Sequence, residues 1–189
     1  MSRAYRIRVK ESISQDLSAS DEVCSDLEIL EILPGDQMAD LLEGELKGRG
    51  FQEEDGKLVR RKDGVTVTVD PKSGEVGVKA EKEEKVELES EKEGWGYDDV
   101  GPHAKQMRKQ LSEQAKAELE RRAEKQKERL QGEATEQLEG VMEDVRKELN
   151  DAVNSVTREA LKRKAAQLGQ IKEMTEDPEA GSLTIKVEV

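Results

Sequence analysis

Residues 102–172 contain no proline after Pro102, and this stretch most constrains what the chain can become. Its larger apolar residues include Met107, Leu111, Leu119, Leu130, Leu138, Met142, Val145, Leu149, Val153, Val156 and Leu161, mostly three, four, seven or eight apart. Such gaps line one face of an α-helix. The residues between are chiefly Glu, Lys, Gln, Arg and Ala, the strongest helix formers. The spacing predicts one long helix or a two-helix hairpin. A single helix of this length would extend about 105 Å. Gly132 and Gly140 bracket the window where a hairpin would turn. The hairpin is the arrangement we expect, because it brings Leu119 and Leu130 toward Val145 and Leu149 and returns the chain to its start. The first arm carries Ala115 and Ala123 at stripe positions, so it offers little apolar surface and is expected to be a mobile arm or one completed by a partner. The stripe of the second arm (Leu138, Met142, Val145, Leu149, Val153, Val156) reads as a core or coiled-coil seam, its partner helix coming from the same chain or from another.

Ahead of this stretch the period changes. Tyr5, Ile7 and Val9 alternate with Arg6, Arg8 and Lys10, a half-buried strand. Residues 12–26 are polar and read as a loop or weak helix, and 27–33 as strand or helix ended by Pro34-Gly35. Asp36 stands as an N-cap before Met38, Leu41, Leu42 and Leu46, with Gly50 placed for a left-handed C-cap and Phe51 folding back onto the last turn. Val65, Val67 and Val69 form a strand between the turns Lys62-Asp63-Gly64 and Asp70-Pro71-Lys72-Ser73-Gly74, and Val76, Val78 and Ala80 form the returning strand. Residues 81–93 are mostly Glu and Lys and read equally as a solvated edge strand or a charged linker. Leu183, Ile185, Val187 and Val189 alternate at the C-terminal end and are expected to complete the N-terminal sheet, since an apolar strand left unpaired invites aggregation.

The expected fold is therefore α+β. It has a small antiparallel or mixed sheet over 1–93, a short packing helix, a Gly/aromatic hinge at 94–101, the helical arm over 102–172, a turn at 173–181, and 182–189 as the sheet's last strand. Aromatic residues make up 2% of the chain and charged residues 40%, so the globular part must be small and built from Val, Ile and Leu. The net charge of −12 is uneven. Residues 102–172 hold 16 Lys and Arg against 13 Asp and Glu, and the remainder 16 against 31. No patch joins strong positive charge to aromatics, which argues against nucleic acid. Nothing approaches a membrane span or a secretory signal, so the expected setting is soluble and cytoplasmic.

No catalytic constellation is legible. His103, the only histidine, follows Pro102 at a helix start, and Cys24 is the only cysteine. The two lack the paired spacing of a zinc site. Asp98-Asp99 matches no calcium-loop spacing. The stretch Gly94-Trp95-Gly96-Tyr97 has no following Lys-Ser or Lys-Thr and is no phosphate loop. It reads as a hinge whose Trp95 caps the small core, or as a partner contact through Trp95 and Tyr97. We expect no enzyme activity and no cofactor.

Two local patterns carry a resemblance. Ala160-Leu161-Lys162 through Gly169, then Glu173-Met174, then Gly181-Ser182-Leu183-Thr184-Ile185 is similar to the end of a chloroplast-encoded and bacterial family of unknown function. Leu41-Leu42 through Gly50-Phe51 is similar to that family's N-terminal helix. The whole chain also resembles small accessory proteins of bacterial ternary systems, encoded beside FtsH-like and MoxR-like AAA ATPases and a von Willebrand A domain protein. The resemblance implies an adaptor role near an AAA machine, with no catalytic residue to carry over. The other reading from the residues is a self-assembling coiled-coil structural protein, a homodimer through the second-arm stripe.

Overall fold

A computed structural model of the chain describes residues 5–97, 101–177 and 182–188. The elements in order are β1 (Tyr5–Asp26), α1 (Gly35–Gly48), β2 (Gln52–Glu54), β3 (Lys57–Lys62), β4 (Val65–Val69), β5 (Glu75–Gly96), α2 (Pro102–Leu168), β6 (Gln170–Asp177) and β7 (Ser182–Glu188). The fold is α+β, with an antiparallel sheet in the order β1-β5-β4-β3-β2 and a separate two-stranded sheet of β6 and β7.

The turns follow from backbone chemistry. Asp55-Gly56 and Asp63-Gly64 all have positive φ, and the flanking registers Glu54↔Lys57 and Lys62↔Val65 make both two-residue hairpin loops. Asp-Gly suits such loops because both central residues must be left-handed. Between β4 and β5 the Asp70 carboxylate accepts from the backbone N–H of Lys72 at 2.9 Å and of Ser73 at 3.3 Å, and these bonds hold its pKa below the usual carboxylate value. Helix α1 ends as its sequence predicts. Gly50 has φ +90, Phe51 N–H reaches Leu46 C=O at 3.1 Å, and Phe51 is buried. Its start differs. Pro34 is the N-cap, no side chain caps it, and Asp36 lies inside the first turn.

The chain forms two compact units, each made of two separated segments: residues 1–21 with 81–136, and residues 22–80 with 137–189. In the second unit the apolar face of β3, β4 and β5 (Leu58, Val67, Val69, Val76, Val78) shares one core with Met38, Leu42 and Leu46 of α1 and with Leu138, Val145, Leu149 and Val156 of α2. In the first unit apolar material is sparse. Ile7, Ala104 and Leu111 form one small cluster, and Leu17, Ala19, Val86 and Leu130 form another.

Several expectations are corrected. Residues 12–26 are strand, the continuation of β1, and the hinge expected to begin at Gly94 is strand through Gly96. Of the two readings of 81–93 the strand holds, within β5, but it lies between β1 and β4 and not at an edge. Both strands alternate, but their inward positions include Glu11, Lys82, Glu84 and Ser90, so the period is hidden from a hydropathy reading. Residues 102–168 are one helix with no hairpin. Gly132 and Gly140 keep helical backbone, since a glycine weakens a helix by about 1 kcal/mol without breaking it. The helix is not a projecting arm, because β1 and β5 cover its Ala-rich first part. Residues 182–188 do not join the N-terminal sheet but pair with β6, from Gln170↔Glu188 to Asp177↔Ser182, across part of the expected 173–181 turn. Asp98, Asp99 and Val189 lie outside the described residues.

Candidate interaction surface

In the first unit polar side chains bond α2 to the strands around its small apolar clusters. Ser112 Oγ donates to Glu11 Oε1 at 2.6 Å, and Thr135 Oγ1 donates to Asp21 Oδ2 at 2.7 Å. Gln131 Nε2 donates to Ser20 C=O at 3.0 Å, and Ser90 Oγ to Glu118 Oε2 at 3.1 Å. Lys92 and Arg122 both pair with Glu118, holding its carboxyl below the usual carboxylate value, the Lys92 bond first. Arg129 pairs with Glu84. The helix thus bonds to both β1 and β5. Gly94 lets it approach, since a Cβ there would stand 3.2 Å from Leu111 Cδ1 and 3.2 Å from Met107 Sδ.

This close approach builds the most aromatic surface in the chain. Trp95 is 65% exposed and Tyr97 78%, and with Gly96, His103, Ala104 and Met107 they line an apolar hollow of about 330 Å³. Trp95 therefore does not cap the core. His103 joins this hollow, a placement that its position beside Pro102 did not foretell.

The second-arm stripe divides. Leu138 and Val156 are 2% exposed, and with Val145 and Leu149 they are buried against the protein's own sheet, so the coiled-coil seam is occupied. Met142 and Val153 are half-buried. Together with Val145, Leu149, Val76 and Val78 they floor a groove of about 510 Å³ rimmed by Asp26, Arg146 and Asn150. Also in this unit, Arg60 meets Glu148 of α2 through two bonds, at 2.5 and 2.7 Å, and stacks its guanidinium 4.6 Å from the Phe51 ring centre. The Arg60 bonds, aided by Arg49 and Lys62, hold the Glu148 carboxyl below the usual carboxylate value. Nothing in the sequence flagged this pair, because the partners lie 88 residues apart.

Among the described residues, no group of three His, Cys, Asp or Glu side chains converges as a metal site. Cys24 is exposed on β1. No helix among the described residues is long and apolar enough to cross a membrane. A family model described as FtsH ternary system domain X5 matches residues 1–189. No curated protein and no solved structure matches the chain. The match agrees with the ternary-system resemblance and does not bear on the chloroplast-encoded family.

Proposed function

The chain belongs to the FtsH ternary system domain X5 family, and from that membership we propose that it serves its system as a non-enzymatic adaptor, holding a partner protein against Trp95 and Tyr97. The observation that carries this reading is the pair of exposed aromatics beside the Met107 hollow. Large aromatic side chains exposed next to a concave apolar surface are the usual anchors of protein interfaces. The partner we propose is another protein of the system, an AAA ATPase or a von Willebrand A domain protein, met in the cytoplasm. The burial of Leu138, Val145, Leu149 and Val156 within their own chain favours this reading over a self-assembling coiled coil.

The test is affinity purification of the tagged full chain from its native host, with Trp95→Ala/Tyr97→Ala as the comparison. The wild type should recover an AAA ATPase or a von Willebrand A domain protein, and the double variant should recover at least tenfold less. Equal recovery by both chains, with thermal melts confirming that both are folded, would remove Trp95 and Tyr97 from the proposal.

A further inference from the structure

Among the described residues, strand β1 lies at the edge of the five-stranded sheet, hydrogen-bonded on one side only, to β5. It runs 22 residues, where strands usually have five or six, and contains no proline. A long free edge is a template for another strand. Within the first unit, residues 5–21 of this edge are self-complementary. Set antiparallel to a second copy with Ile13 opposite Ile13, the face toward α2 pairs Ile7 with Ala19, Val9 with Leu17 and Glu11 with Gln15. On the other face Lys10 meets Asp16, Arg6 meets Ser20, Arg8 meets Ser18 and Ser12 meets Ser14. No like charges oppose one another.

This register is singled out. A slip of two residues one way sets Glu11 against Leu17, and the other way sets it against Ile13. Either slip gives up the apolar and polar pairs that this register makes. The local charge agrees. Lys10 pairs with Glu89, whereas Asp16 lies by Glu83, Glu84 and Lys85 with no ion pair of its own among the described residues. Glu84 is held by Arg129, and Lys85 reaches Glu87 at 4.0 Å. A lysine from a second copy would supply the missing cation. Ile13 and Val9 are only half-buried, which leaves apolar surface to cover at the two-fold. Spacing permits the pairing too. Helix α2 straddles β1 and β5, so two such ribbons side by side set their helices about 9.6 Å apart, two strand spacings, within the ~8–10 Å at which helices pack.

We infer that the protein forms a two-fold dimer in which the free edge of β1, over residues 5–21, pairs antiparallel with the same edge of a second copy. The full chain should sediment at twice its 21.2 kDa at tens of micromolar. Asp16→Lys sets an ammonium against the Lys10 ammonium of the second copy, and Lys10→Glu sets a carboxylate against the Asp16 carboxylate. Each variant alone should dissociate about tenfold more readily. An equimolar mixture should regain the dimer, because the introduced carboxylate of one chain then meets the introduced ammonium of the other, a rescue that misfolding would not permit. Ile13→Cys in a Cys24→Ser background should form an interchain disulfide on mild oxidation, and Ser14→Cys in the same background should not. A wild-type monomer at 100 μM, single variants that dimerise as the wild type does, or an Ile13→Cys chain that fails to cross-link would each overturn the inference.

Discussion

At the scale of single residues, Arg60–Glu148 and Gly169 make claims that can be measured. The guanidinium of Arg60 is held by Glu148 on one side and lies over Phe51 on the other, with less than a third of either charged side chain exposed. Removing the carboxylate by Glu148→Gln should cost about 1–2 kcal/mol, since a paired and partly desolvated charge loses its partner. The pH dependence has a definite sign. Glu148 has a folded pKa below its ordinary value. Its contribution is therefore complete above about pH 4.3, the unfolded value, and is lost as pH falls through the lower folded value. Melting temperatures of wild type and Glu148→Gln should differ at pH 7 and converge as acidification passes the lowered folded value. A constant difference across that range would show that the charge of Glu148 is not what stabilises. Gly169 is a steric claim. A Cβ there would lie 2.1 Å from Glu188 C=O oxygen, a backbone atom that cannot swing aside, and 2.9 Å from Val187 Cγ1. Gly169→Ala should destabilise by about 1–3 kcal/mol. The effect should be local, with faster amide exchange in β6 and β7 and unchanged exchange in β3 and β4.

At the scale of elements, each part of α2 is held by different chemistry. In the second unit Leu138, Val145, Leu149 and Val156 are buried, and a side chain of this kind is worth about 1.5–3 kcal/mol when fully buried. In the first unit Ala104 and Ala115 sit at the contact, and bonds such as Arg129–Glu84 and Lys92–Glu118 surround them. Exposed ion pairs contribute about 0–1 kcal/mol each, so the small apolar clusters carry more of that attachment than the longer list of salt bridges. The β6–β7 hairpin differs again. None of its side chains described is buried, and its two strands bond to each other. Deleting 182–189 should therefore leave the melting of the five-stranded sheet within about 2 °C of the full chain, while β6 amides lose their protection from exchange. Unfolding of the whole chain on that deletion would mean that β7 supports more than its partner strand. Sequence alternation in β7 led to the opposite expectation, because four apolar residues in register look like core wherever they pair.

At the scale of the whole molecule, what the sequence by itself determined is local. The Asp-Gly turns, the Gly50 cap, the strands around Val67 and Val78, and the helical state of residues 102–168 follow from backbone freedom and from apolar spacing, which act over a few residues. Trp95 and Tyr97 were legible only as two alternatives, a hinge whose Trp95 caps the core or an exposed contact, and it took the structure to leave both side chains exposed. The tertiary structure alone decided partnership. Residues 12–26 and 81–93 are too polar to specify a strand by themselves. They become β1 and β5 because each supplies the other's hydrogen bonds and α2 covers their inner faces. The hollow beside Trp95 exists only where Met107 and His103 meet the end of β5. The pairing of β7 with β6 instead of β1 likewise rests on nearness along the chain. A hairpin closes a short loop, whereas joining the distant sheet would close a long one at greater entropic cost. Period and composition record which face of a segment is apolar, but the surface that covers it is chosen by contacts between residues far apart in sequence.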